Sequence, residues 1–457
     1  MSLQDTTTAT GTLDTETVAP GDEEYDDAAR VFFGTGAPEL VVRPRDADEV
    51  AAALAHAVRR GLAVSVRSGG HSLLGHGTNT GGMVIDLRHL DGIEVLDVDR
   101  RVVRVGGGAT WGRVAEALDP RGWALTSGDT AGVGVGGLTL GGGFGWMVRR
   151  HGLAIDNLVA ARVVTAGGRL LTASATENPQ LFWALRGGGG NFGVVVSFDF
   201  VAQPVATVHR GTVTYQLDDV AELVVRWRDA MRAAPEELTS TLVLPPAVPG
   251  QIPEAMVLLC YAGQGDVAAA NDAIEPLLEL GTVLRASISE CRYADLLEDA
   301  AAPPGLRVAG RNTLVRSVND EVITAIDRLH RSPAPAMIAL RSLGGAFSRV
   351  QREATAFAHR DAEAMVLCMA MLPESATDDD VARALQPWEP VAARGIGSYT
   401  NFQGSASAAD VAAAYPPATY ARLSLVKRAY DPGNVFAHNH NVLPGDGLPR
   451  PRTADRR

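Results

Sequence analysis

Glycine is distributed unevenly along this chain. Three runs, RSGGHSLLGHG at 67–77, GVGVGGLTLGGGFG at 132–145 and RGGGGNFG at 186–193, hold 17 of its 49 glycines. Without a Cβ such runs propagate long helices poorly and fill a core poorly. They do permit positive φ and close approach of one backbone to another, or to a flat ligand. Successive N–H groups in such turns form a nest suited to a pyrophosphate. One run alone is an ordinary surface turn. Three in succession call for an extended ligand threaded between main-chain segments. The second run also satisfies GxGxxG over Gly132 to Gly137. A dinucleotide-binding Rossmann turn needs a strand before it and a helix after it. The preceding LTSGDT and the following glycines predict neither, so this match is set aside as accidental.

The rest of the chain reads as α+β. Short strands are expected at 40–43, 63–66, 84–87, 93–96, 102–105 and 194–200, with a hairpin over 158–172. Helices are expected at 46–59, 111–118 and 179–185. Asp46 or Asp48 caps the first of these, Gly61 ends it, and Val50, Leu54 and Val58 form its apolar stripe. Residues 1–24 read as a flexible tail. Beyond Pro204 glycine thins out, and amphipathic helices at 218–233 and 267–280 alternate with strands such as 256–261. That texture predicts a second domain, an antiparallel sheet covered by helices on one face. The expected division is a first domain over 25–205, a second over 206–404, and a segment 405–457 that returns to the first.

Charge and cysteine usage narrow the function. The formal net charge of −12 argues against nucleic acid or an anionic membrane as partner. No stretch of about 18 apolar residues predicts a membrane span. The acidic start lacks the basic and apolar regions of a secretory signal. Cys260, Cys291 and Cys368 fit neither a disulfide framework nor a zinc knuckle, so no metal is expected and a reducing cytoplasm is the simplest compartment.

Taken in order, RSGGHSLLGHG, VIDL, GVGVGGLTLGGGFGWMVRRHGLAIDN, NPQLFWALRGGGGNFGVV and YDPGNVFAHNHNVLP resemble the FAD-linked oxidases of the berberine bridge enzyme and 6-hydroxy-D-nicotine oxidase type, within the vanillyl-alcohol oxidase superfamily. The resemblance is strong over 37–205, clear over 420–444, and one of texture between. It implies a two-part PCMH-type FAD-binding domain and a substrate domain. It also implies an FAD contacted by Arg67, Ser68, Gly69, Gly70, His71, Ser72 and Gly75 in the first loop. In the second loop it implies contacts from Thr130, Gly132, Gly134, Gly137, Thr139, Gly142 and Gly145. Asn157, Gly193, Val194, Val195, Asn439 and Asn441 complete the implied set. His71 stands where members bond the flavin 8α-methyl group to an imidazole. Many members add a cysteinyl bond from the second loop; that position is Thr130 here, and no cysteine precedes Cys260. Single attachment through His71 is therefore implied. Leu138 replaces a histidine of plant-type members. His76 is read as structural, Trp146 and Asp156 either as shaping the flavin pocket or as structural, and His438 and His440 as exposed loop residues.

A flavin oxidase also needs a base to take a proton while hydride leaves for N5. SYTNF at 398–402 resembles the family's late strand, and alternation puts Tyr399 and Asn401 on one face. Tyr399 is the leading base, with Tyr261, Tyr293 and Tyr415 behind it. A phenol of reference pKa about 10 needs a cation nearby. Where some relatives carry a carboxylate, this sequence has Ala339 and Arg341. Arg341 is placed either to lower the Tyr399 pKa or to bind an acidic or carbonyl group of the substrate. The expected reaction is oxidation of a small organic alcohol, phenol or amine, with oxygen as acceptor and hydrogen peroxide as product. An aliphatic middle domain favours a natural-product substrate over a saccharide. The competing readings are a flavin dehydrogenase with another acceptor, a carbohydrate oxidase, a nicotinamide-dependent dehydrogenase and a non-catalytic binding protein.

Overall fold

The computed structural model describes residues 13–246, 250, 252–263, 265–299, 305–333 and 336–445. Three sheets carry the architecture, with one further two-stranded ribbon among the described residues. The first has four strands in the order Glu16–Val18, Leu40–Arg43, Met83–Asp86, Val64–Arg67. The last three run parallel, and the first is antiparallel to its neighbour. Helix Ala47–Arg60 packs on it through Val50, Ala53, Leu54 and Ala57. Asp46 caps the helix, accepting from the N–H groups of Asp48 and Glu49, and Gly61 ends it at φ 65°. Such a cap contributes about 1 kcal/mol.

The second sheet is antiparallel with five strands: Leu170–Ser174, Leu158–Val164, Val194–Val201, Val102–Gly106 and Ile93–Asp97. The third is antiparallel with seven: Val283–Arg292, Thr207–Gln216, Glu254–Tyr261, Leu238–Leu244, Ala336–Ser342, Ala364–Pro373 and Leu306–Val315. One face of this sheet is covered by helices, among them Val220–Ala233, Val267–Ile274 and Asp320–His330, and buries Tyr215, Leu242, Val257, Leu340 and Val366. Strand alternation sends the next residues to the other face. There the register sets Met256, Val243, Ala339, Leu367 and Asn312 side by side across five strands. A neighbouring row holds Leu258, Thr241, Arg341, Met365 and Leu314. That second face packs against Phe144, Phe347, Phe357 and Tyr399, so the glycine runs and the sheet share one interior. Helices Ala408–Ala414 and Pro417–Tyr430 then bring the chain back to the five-stranded sheet.

Four expectations are corrected. Residues 1–12 lie outside the described residues, but Glu16–Val18 is a strand rather than tail, because Glu16 pairs with Arg43 and Arg45 and Val18 is buried. Val58 is 53% exposed; Ala53 and Ala57 take its place on the apolar stripe. Helix 267–280 stops at Ile274 and tightens to a 3₁₀ turn at Glu275–Leu278, where Pro276 cannot donate. The glycine run after Gly134 does contain a helix, Val135–Gly141, although no strand precedes it.

Candidate active site

The glycine runs meet at a cleft of about 390 Å³. Its walls lie within 66–77, 128–140, 189–195 and 436–440, and Met369, Tyr399, Asn401 and Phe402 close it opposite, Met369 from the seven-stranded sheet. The first two walls touch main chain to main chain. A Cβ on Gly69 would stand 2.3 Å from Gly134 N, and one on Gly134 would stand 2.1 Å from Gly69 N and 2.3 Å from Ser68 Oγ. Ser68 Oγ clamps the junction, donating to Gly107 O at 2.7 Å and accepting from Gly136 N–H at 3.2 Å. Gly137 and Gly190 also line the cleft, and a Cβ at either would meet nothing within 4 Å. Tyr415 Oη and Asn439 Oδ1 are buried in the wall without a hydrogen-bond partner. Bare backbone on one side and orphaned polar atoms on another suit an extended, flat, polar-edged ligand such as FAD.

His71 lies in the first wall. Its Nδ1 is 2.8 Å from Gly69 O, which assigns the proton to Nδ1 and the lone pair to Nε2. The ring stacks on Phe32 at 4.4 Å and 25°. Burial lowers its pKa; the Gly69 carbonyl and the Asp299 charge oppose that. His76 is pushed down to about 3 by burial and by His440 and His438. Among the described residues no group of three side chains is arranged to hold a metal. His440 is buried rather than exposed, 3.1 Å from Ser405 O through Nε2.

The fourth wall is held by one buried cation. Lys427 Nζ, wholly buried, donates to Asn191 O at 2.8 Å, Phe436 O at 2.9 Å and Asp431 Oδ2 at 2.7 Å. Asp431 accepts in turn from the N–H groups of Val435 and Phe436. Asn191 Oδ1 accepts from Val442 N–H, and Asn439 Nδ2 donates to Gly190 O.

Tyr399, in the cleft wall, is not on a strand. It precedes a 3₁₀ turn, Thr400–Phe402, and that turn rather than alternation brings Asn401 Nδ2 within 2.8 Å of Tyr399 Oη. Gly143 N–H donates to the same oxygen at 3.2 Å. Asn312 fixes the Tyr399 backbone, accepting from its N–H and donating to its carbonyl, both at 2.8 Å. Burial pushes the phenol up to about 12; the two donors and Arg341 oppose this and are outweighed. Arg341 is buried, ion-paired with Asp129, and 5.8 Å over the Trp146 ring. Its Nη1 has no partner. Asp129 lines the cleft and was not marked by the sequence; its partner is 212 residues away.

Arg67, Ser68, Gly69, Gly70, His71, Ser72, Thr130, Gly134, Gly137, Gly193, Val195, Asn439 and Tyr399 all line the cleft. Arg67 is also tied to Asp86 and to two backbone carbonyls. Gly75, Gly132, Thr139, Gly142, Gly145, Asn157, Val194, Asn441 and Arg341 are not among its lining residues. Gly145 is demanded by packing, since a Cβ would stand 1.7 Å from Ser127 O. Val194 faces the core of the first sheet. Asn157 donates to His151 O and Leu153 O, holding a turn. Asp156 is bidentate to the buried Arg360. Of the other tyrosines, Tyr293 bonds Ser127 at 2.9 Å and Tyr261 lies in the helix-covered core.

The FAD binding domain family matches residues 38–174, and the berberine and berberine-like family matches residues 398–443. (R)-6-hydroxynicotine oxidase of Paenarthrobacter nicotinovorans is 31% identical over 450 residues, 94% of this chain and 96% of that protein. The chain belongs to the FAD-linked oxidases of the berberine bridge enzyme type. Two solved members show the same fold over nearly their whole length. Xylooligosaccharide oxidase from Myceliophthora thermophila has a TM-score of 0.84 at 26% identity, over 94% of this chain and 97% of that one. GilR, described as catalysing the terminal step of gilvocarcin biosynthesis, has a TM-score of 0.82 at 26% identity, over 93% and 99%. In this family the mixed α+β architecture is the PCMH-type FAD-binding fold with an antiparallel substrate sheet. No helix of the described residues is long and apolar enough to cross a membrane.

Proposed function

We propose that this FAD-linked oxidase holds its flavin by one bond, from His71, and oxidises an apolar, ring-bearing natural-product alcohol, phenol or amine, with oxygen as acceptor and hydrogen peroxide as product. In this reading residues 25–205 and the returning C-terminal segment carry the cofactor, and 206–404 carry the substrate. The observation that carries it is the pair of walls facing each other across the cleft. On one side are glycine backbone and the His71 ring; on the other are Met369, Phe402, Leu138 and Leu140, with Val243, Ala339 and Leu367 packed behind them against Phe144 and Tyr399. A lining of thioether and aliphatic groups fits a flat apolar ring better than a hydroxyl-rich sugar. No thiol stands at Thr130, so His71 is left as the attachment point.

Bound FAD supplies the two-electron acceptor and passes the pair to oxygen. The protein's part is to orient the substrate and to receive its proton. Tyr399 Oη, held by Asn401 and Gly143, is the proposed base. Arg341, behind the lining, is proposed to act through Asp129, the carboxylate it pairs with at the cleft wall.

The test is to precipitate wild type and His71→Ala in acid, and then to follow oxygen uptake with phenols, amines, polycyclic alcohols and oligosaccharides. Colour and one FAD of added mass are expected on the wild-type chain alone. Flavin released from both variants refutes the histidyl bond. Turnover of oligosaccharides alone makes the protein a carbohydrate oxidase and refutes the apolar substrate. Flavin reduction by substrate without oxygen uptake makes it a dehydrogenase.

A further inference from the structure

A carboxylate from the substrate domain stands beside the attachment histidine. Residues 297–299 follow the short helix Tyr293–Leu296 and dock on the second glycine loop. Ala131 N–H donates to Glu298 O at 3.1 Å, and Thr130 and Glu298 are parallel bridge partners. Arg210 Nη1 anchors the Glu298 carboxylate at 2.6 Å. Asp299, next along, is exposed and near enough for its charge to act on His71. A Cβ on Gly132 would stand 3.2 Å from His71 Cε1, 3.4 Å from His71 Nε2 and 3.5 Å from Asp299 Oδ1. Imidazole edge and exposed carboxylate thus both border the space beside Gly132, more than 4 Å apart and not hydrogen-bonded to each other. The other ring nitrogen is held by Gly69 O and the ring face by Phe32.

We propose that Asp299 is a positioning residue for flavin attachment, offsetting the positive charge that the His71 ring acquires as its C–N bond forms. The inference rests on the histidyl bond proposed above. In that step the 8α-methyl group gives up one C–H and the imidazole its N–H while the C–N bond forms. The two electrons and two protons released reduce oxygen to hydrogen peroxide, the acceptor the oxidase already uses. A neutral imidazole bonded at its second nitrogen is a cation until the first loses its proton. A half-buried ring holds such a cation poorly, and a carboxylate alongside offsets it.

The experiment follows attachment of added FAD to flavin-free protein, by intact mass and by fluorescence of the denatured chain. An adjacent carboxylate shifts a partner's proton affinity by about one unit or more, so Asp299→Asn is expected to attach at least about tenfold more slowly. Asp299→Glu is expected to recover most of the rate. Gly132→Ala, which puts a methyl group into that space, is expected to slow attachment with Asp299 intact. Attachment by Asp299→Asn at the wild-type rate overturns the inference while the histidyl bond stands. A wild type that never bonds flavin overturns both. Weaker non-covalent FAD binding by His71→Ala/Asp299→Asn than by His71→Ala makes Asp299 a binding residue and overturns it as well.

Discussion

Lys427→Met tests whether one buried ammonium group holds the fourth wall of the cleft. The substitution keeps most of the side-chain volume and removes three donated hydrogen bonds. It leaves the wholly buried Asp431 without its cation. Breaking a buried ion pair from one side costs about 3–5 kcal/mol. The orphaned carbonyls of Asn191 and Phe436 add about 1 kcal/mol or more each. The two N–H groups still bonded to Asp431 offset part of this, so about 5 kcal/mol is the expected loss. At about 2.1 cal/mol/K per residue, 457 residues unfold with roughly 1 kcal/mol/K. The loss then corresponds to about 5 °C in Tm if the body unfolds as one unit. Guanidinium titration and thermal melting of flavin-free and flavin-loaded protein measure it. Because Asn439 sits in this wall, FAD affinity in a His71→Ala background is expected to fall with stability. Adding Asp431→Asn removes the unpaired charge and is expected to restore a few kcal/mol. A loss below about 1 kcal/mol with full flavin affinity would refute the argument.

Three further outcomes are expected. Gly134→Ala drives a Cβ to within 2.1 Å of Gly69 N; the two loops must part, and colourless protein weakened by about 1–3 kcal/mol is expected, read by absorbance and melting. With its phenol held up to about 12, Tyr399 is protonated at neutral pH. Flavin reduction by substrate should therefore rise about tenfold per pH unit as pH climbs toward that value, and Tyr399→Phe should flatten the profile; stopped-flow reduction across pH checks both. Thr130→Cys in a His71→Ala background places a thiol in the cleft wall, and acid-stable flavin on that double variant is the expected result, read by intact mass.

How much of this was legible depends on how local each signal is. Helix Ala47–Arg60 was readable from its cap and its terminating glycine, which lie within the helix's own stretch of sequence. Helix Val135–Gly141 was not: three of its seven residues are glycine, and it exists because Val135, Gly136, Leu138 and Thr139 are buried by other parts of the chain. The strand at Glu16 was hidden for the same reason, since its reason to order is Arg43 and Arg45. The meeting of Tyr399 with Asn401 was anticipated through the wrong geometry, a strand in place of a 3₁₀ turn. Asp129 and Asp299 carried no local pattern at all; each acquires meaning only from a residue more than 200 positions away, Arg341 for the first and His71 for the second. The glycine runs were legible because a chain rarely concentrates so many residues without side chains unless backbone itself must form a surface.

The fourth wall also sets an order of events during synthesis. The loops around Gly69 and Gly134 leave the ribosome early, whereas Lys427, Phe436 and Asn439 follow some 300 residues later. Until that last segment docks, the pocket has no floor beneath Asn191 and the Tyr415 hydroxyl. A partly made chain therefore has the nest without the clamp. A truncation before Lys427 is then expected to lose FAD affinity together with stability, which would tie cofactor capture to finished chains.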